Sequence, residues 1–129
     1  MHTMEAKKEI VNYTNSKVNS MFENILKVCK EWFYSIQALY ADQYEISIDV
    51  DNSKEFVANI DSDSYLSQLV VSESGFRPYN FVEYTVLDVR QDINSMPAFW
   101  YGDKEGDTVQ EIINNLNKGF KLVSEEHHP

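Results

Sequence analysis

Histidine, the side chain best suited to moving protons near neutral pH, occurs in this 129-residue chain only as His2, His127 and His128. All three lie at the chain ends, where order is least expected. The body of the sequence therefore offers no Ser-His-Asp or Cys-His pairing and no histidine-based zinc site. The His127-His128 pair reads as an inert tail. The only cysteine, Cys29, excludes an internal disulfide framework. It falls between Leu26 and Phe33 on an apolar helical spacing, where a thiol behaves as a small hydrophobe rather than a nucleophile. The four glycines, Gly75, Gly102, Gly106 and Gly119, fit neither dinucleotide-binding nor Walker spacing.

Carboxylates are the remaining candidates for chemistry. Asp49 and Asp51, and then Asp61 and Asp63, have the i, i+2 spacing that places both side chains on one face of a strand, where they could share a divalent cation or a proton. The first pair resembles the start of a calcium loop. However, Lys54 stands where that loop needs glycine, and Ile60 stands where it needs the closing glutamate. Both pairs also flank predicted turns, where aspartate is favoured for local hydrogen bonding, and turn chemistry is the stronger reading. Nothing specifies a glycosidase pair. The expectation is a protein with no catalytic residues, no cofactor and no resident metal.

Charge and aromatic surface then carry the functional reading. Eleven Lys and Arg against 21 Asp and Glu give a net charge of −10. Residues 1–41 hold five basic and four acidic side chains, residues 42–107 hold four and 14, and residues 108–129 hold two and three. The excess therefore belongs to the middle of the chain. Such a field repels nucleic acid and anionic membranes and attracts basic proteins, although acidity also serves solubility. Tyr79, Phe99, Trp100 and Tyr101, near Asp92, Asp103, Glu105 and Asp107, combine aromatic area with negative charge, as interface hot spots do. The alternative is that Phe99 and Trp100 complete the core. The candidate partner-binding residues are Asp49, Asp51, Asp61, Asp63, Tyr79, Asp92, Trp100, Tyr101, Asp103 and Glu105.

The elements that must position these residues are legible in the hydrophobic pattern. Val18, Met21, Phe22, Ile25, Leu26, Cys29, Trp32, Phe33, Ile36, Leu39 and Tyr40 follow helical spacing, with a candidate interruption at Asn12 to Ser16. Ile46, Ile48 and Val50 alternate with Glu45, Ser47 and Asp49. After a turn at 51–54, Phe56, Ala58 and Ile60 alternate again. Asp61-Ser62-Asp63 is the next turn. A third strand spans Tyr65 to Ser72 and closes at Ser74-Gly75. A loop around Pro78 precedes a fourth strand, Phe81 to Val89, and Ala98 to Tyr101 is a fifth strand or an edge segment. Thr108 with Glu111 makes a capping box for a closing helix, whose apolar face is Val109, Ile112, Ile113, Leu116, Phe120 and Val123, with Gly119 weakening its last turn. The expected fold is one α+β domain over residues 1–129: an N-terminal helix, an antiparallel meander of four to five strands and a C-terminal helix, both helices on one sheet face, with 1–15 and 124–129 peripheral or frayed. With no stretch of about 20 apolar residues and no secretory h-region, the expected location is the cytoplasm.

The Trp-bearing segment Val28 to Tyr40, the run Leu69-Val70-Val71-Ser72-Glu73-Ser74-Gly75-Phe76, the strand Val82-Glu83-Tyr84-Thr85-Val86-Leu87-Asp88 and the helix Thr108 to Phe120 resemble the TriTu-type immunity proteins (CdiI) of contact-dependent growth inhibition. The resemblance covers about residues 20–123 and is one of pattern and element order. It implies a non-enzymatic inhibitor of the cognate toxin, the C-terminal domain of a CdiA-type effector. Such a toxin is often a nuclease, and some act together with elongation factor Tu. No direct contact with nucleic acid or membrane is implied. A small acidic adaptor or secretion-chaperone-like binding module is the alternative.

Overall fold

The computed structural model describes residues 2–73, 79–92 and 94–125, with side chains from Ser20 onward. The chain begins with α1 (His2–Tyr40) and continues through β1 (Glu45–Asp51), β2 (Glu55–Asp61), β3 (Tyr65–Ser72), β4 (Val82–Asp88) and β5 (Phe99–Gly102) to α2 (Val109–Ser124). The strands form one antiparallel meander in the order β1-β2-β3-β4-β5, leaving β1 and β5 as edges. The expected α+β architecture is therefore present, and the segment at Ala98 to Tyr101 resolves into a fifth strand.

Two local expectations need correction. The backbone of α1 runs through Asn12 to Ser16 without a break. No proline or glycine occurs between His2 and Tyr40, and the polar residues of that stretch cost a helix only about 0.7 kcal/mol each at most. Positions 2–15 thus belong to the helix. Gly119 likewise leaves α2 intact to Ser124, with Glu125 as its C-cap. The turn expected at Ser74-Gly75, the loop around Pro78 and the tail beyond Glu125 lie outside the described residues.

Both helices cover one face of the sheet. From α1, Phe22, Ile25, Leu26, Cys29, Trp32, Phe33 and Ile36 are buried, spaced by three and four as a helix lying on a sheet requires. They meet Phe56, Ala58 and Ile60 of β2, Leu69 and Val71 of β3, and Val82, Tyr84 and Val86 of β4 within one core. Edge-to-face ring pairs join the layers, with centroids 5.3 Å apart for Phe33–Phe56 and Phe22–Phe81, and 5.8 Å apart for Trp32–Tyr84. The helices are tied to each other where the Trp32 indole N–H donates to Asn117 Oδ1 at 2.8 Å. The buried Tyr84 hydroxyl donates to Ser67 Oγ, which donates in turn to the Ile60 carbonyl, so this chain of polar groups enters the core fully paired. The Thr108–Glu111 capping box forms as the sequence indicates, with the Glu111 N–H reaching Thr108 Oγ1 at 3.1 Å.

Among the described residues, no helix covers the opposite face of the sheet. Its geometry decides which of the candidate residues stand together.

Candidate functional site

Alternation along the strands assigns the outward positions. They are Glu45, Ser47 and Asp49 of β1 together with Val50, which stands opposite Val57, then Glu55, Val57, Asn59 and Asp61 of β2, Leu66, Gln68 and Val70 of β3, Glu83, Thr85 and Leu87 of β4, and Trp100 and Gly102 of β5. Five of these are carboxylates and none is basic. Every lysine and arginine among the side-chain-described residues lies on a helix (Lys27, Lys30, Lys118, Lys121) or in a connection between elements (Lys54, Arg90, Lys104).

The charges concentrate toward the β1 edge. Glu45 pairs directly with Asp61 across β1 and β2, and like charges at directly opposed positions destabilise a sheet. Asp61 accepts the Ser67 backbone N–H at 3.1 Å. Partial burial raises its carboxyl pKa above the ordinary value against the pull of that hydrogen bond, and the negative charges of Glu45 and Asp49 raise it further. Beside it, a strip of amides ties the face together: Asn59 Nδ2 donates to Asp49 Oδ2 at 3.0 Å and to Ser47 Oγ at 3.2 Å, and Gln68 Nε2 donates to Asn59 Oδ1 at 3.2 Å. Toward β5 the face turns apolar. Leu66 and Leu87 are cross-strand partners, 46% and 45% exposed, and Trp100 is 45% exposed. Val89 and Met96 extend this apolar end beyond β4.

The fold separates the Asp49/Asp51 pair, contrary to the expectation of a shared face. Ile48 pairs with Ala58 and Val50 with Val57, so β1 gains one residue against β2 at a bulge. Downstream of it the side-chain alternation is inverted relative to the partner strand. Asp51, opposite the core residue Phe56, turns toward α1. There Lys30 Nζ lies 2.7 Å from Oδ1 and the Tyr34 hydroxyl donates to Oδ2. These two partners hold the Asp51 carboxyl pKa below its ordinary value, Lys30 contributing most. The second pair also divides, since Asp61 belongs to β2 and Asp63 is exposed in the β2–β3 turn.

The aromatic and acidic residues around β5 divide similarly. Trp100 faces outward. Tyr101 faces the core, 8% exposed, and its hydroxyl donates to Asp107 Oδ2 at 2.9 Å. Asp103 is 1% exposed, and its Oδ1 accepts the backbone N–H groups of Asn80, Phe81 and Val82 at 3.1, 2.7 and 2.7 Å. It is a structural clasp joining β5 to the entry of β4, so neither Asp103 nor Tyr101 is available to a partner. Tyr79 is half-buried near Gly102 and Trp100. Glu105 is exposed in the β5–α2 connection, and Asp92 is exposed beyond β4, accepting the Asn94 N–H. The outward face thus gathers Asp49, Asp61 and Trp100 from the candidates. It adds Glu45, Glu55, Glu83, Leu66 and Leu87, which sequence reasoning passed over although the alternation of Glu45, Ser47 and Asp49 against Ile46 and Ile48 already marked which side was outward; Val50, read with them as inward, stands instead opposite the outward Val57 beyond the bulge.

Chemically, this face is suited to covering a cationic surface. Among the described residues, no three His, Cys, Asp or Glu side chains are placed to hold a metal ion, and no helix is long and apolar enough to cross a membrane. In comparison with known proteins, the chain matches no family model, no curated sequence and no solved structure.

Proposed function

We propose that this chain is a non-catalytic immunity protein of contact-dependent growth inhibition that neutralises a basic toxin domain by covering it with the open sheet face. The observation that carries the reading is the unneutralised juxtaposition of Glu45, Asp61 and Asp49 on a face whose strands present no cation. Opposed carboxylates work against the sheet that holds them, and a bound cationic surface converts that repulsion into attraction. Nuclease toxins must offer basic surface to a phosphate backbone, so a carboxylate-rich inhibitor competes for the same ground. The −10 net charge also accelerates encounter with a cationic partner. The sequence resemblance supports the same assignment. The site of action is then the cytoplasm, where the toxin domain arrives and where elongation factor Tu would be met through the toxin.

The test is co-purification with the toxin domain encoded immediately upstream, together with protection of cells expressing that domain. Binding and protection are expected together, and loss of both refutes the reading. A second reading, a secretion-chaperone-like adaptor, is favoured by the exposed apolar end at Leu66, Leu87, Val89 and Met96. It requires a stable dimer or a captured effector segment on that end, and a monomeric solution mass that persists at high concentration counts against it.

A further inference from the structure

At the β5 edge of the open face, Trp100 Nε1 donates to Glu83 Oε2 at 2.9 Å across β4 and β5. The benzenoid edge of the indole lies over Gly102: a Cβ built there would stand 2.5 Å from Trp100 Cη2 and 2.7 Å from Cζ2, and 2.7 Å from Tyr79 Cβ. One side of the ring is therefore seated on backbone that only glycine leaves open, while the residue remains 45% exposed. The hydrogen bond fixes the indole beside the carboxylate and engages Oε2, and among the described residues no donor bonds to Oε1. A flat π-surface held next to a carboxylate, on a face whose strands present no lysine or arginine, is matched by one cationic group in particular. A guanidinium can stack on the indole and direct its N–H fork at the carboxylate in the same pose, whereas an ammonium is a compact, strongly hydrated point charge that cannot do both.

We propose that Trp100 and Glu83 form a seat for an arginine side chain of the protein partner, making arginine rather than lysine the anchoring residue of the surface this chain covers. This rests on the docking reading above and names the recognition chemistry within it. Occupation by a second copy of this chain is the competing use of the same edge.

The experiment titrates the full chain with a short oligo-arginine peptide and an oligo-lysine peptide of equal length, following the indole N–H resonance of Trp100. The Trp32 indole, buried and bonded to Asn117, serves as the internal control. The arginine peptide is expected to move the Trp100 signal and to bind about threefold or more tightly than the lysine peptide. Glu83→Gln keeps an oxygen acceptor for the indole N–H but removes the charge. It should weaken arginine binding about fivefold and collapse the difference between the peptides. Trp100→Ala, at an exposed position, should do the same. Equal affinities, an arginine preference that survives Glu83→Gln, or no movement of the Trp100 signal would each overturn the seat. So would a Trp100 shift driven by protein concentration alone, which would mark a dimer. If both peptides instead move the Asn59 and Gln68 side-chain amides while Trp100 stays still, the seat is refuted and cationic docking stands. If the toxin domain binds the Asp49→Lys/Asp61→Lys variant with unchanged rate and salt dependence, the docking reading itself fails, whatever the peptides do.

Discussion

Asp49 and Asp51 stand two residues apart on one strand and face opposite sides of the sheet. Asp49 reaches Asn59 on the open face, while Asp51 reaches Lys30 and Tyr34 on the helix side. The bulge between Ile48 and Val50 separates them, and with it two roles that the primary spacing had merged. Asp49→Lys should therefore slow association with a cationic partner and flatten its salt dependence with little effect on stability. Asp51→Lys should leave association nearly unchanged and destabilise the fold by about 1 kcal/mol, since a largely solvated ion pair contributes about 0.2–1 kcal/mol and the reversal adds repulsion from Lys30. Stopped-flow association and urea denaturation of the two variants separate these effects.

Asp61 gives a prediction whose sign is opposite to ordinary acid denaturation. Its carboxyl pKa is raised in the folded state by burial and by Glu45 and Asp49, so the folded protein holds that proton more tightly than the unfolded chain. The contribution to stability is present below the unfolded pKa and is lost as pH rises through the folded pKa. Asp61→Asn, which keeps an acceptor for the Ser67 N–H, should raise stability at pH 7 and lose that advantage under acid. The same variant should bind a basic partner more weakly. Urea denaturation at several pH values checks the first outcome and titration of the partner the second. A variant stabilised only at acidic pH would contradict this account.

Asp103 is buried beneath three backbone donors. Asp103→Ala leaves those N–H groups without an acceptor and should cost about 2–5 kcal/mol, a loss spread over several buried hydrogen bonds. Asp103→Asn retains a carbonyl oxygen and should cost markedly less. The Asp103 pKa is also raised, chiefly by burial, so the gap between wild type and Asp103→Asn should narrow as pH rises from the acid range toward neutrality. Denaturation curves for the two variants at pH 4 and pH 7 test both statements.

Gly119 lies against the ring of Tyr84. A methyl at that position would stand 2.6 Å from Tyr84 Cε2 and 2.9 Å from Phe99 Cδ1. Helix propensity alone would make Gly119→Ala stabilising by about 1 kcal/mol. Overpacking against two core rings should reverse the sign and destabilise by about 1–3 kcal/mol, read as a shift in the urea midpoint.

Cys29 is fully buried, and burial, aided by the nearby charge of Asp103, pushes its thiol pKa up to about 12. A disulfide reagent should therefore modify native protein only as fast as the fold opens. Its rate should rise with denaturant in parallel with unfolding. Rapid stoichiometric modification of the native protein would contradict this.

The sequence by itself determined the element order, most of the apolar face of each helix, the strand boundaries to within about two residues, the capping box of α2 and the burial of Cys29; Met21 and Leu39 share the helical spacing of α1 yet stand exposed at its margin. Each follows from local periodicity or from a hydrogen bond between residues three apart. Net charge and its concentration between residues 42 and 107 were equally legible, because counting needs no coordinates. Only the tertiary structure decided which carboxylates stand together. Glu45 meets Asp61 through strand register, and Asp51 leaves Asp49 through a single inserted residue, since the side-chain period of a strand is two and one extra residue reverses it. Asp103 read as a surface acid because aspartate is usually solvated, yet three backbone donors from Asn80, Phe81 and Val82 bring it inside. Those donors lie more than 20 residues upstream, beyond the reach of any local pattern.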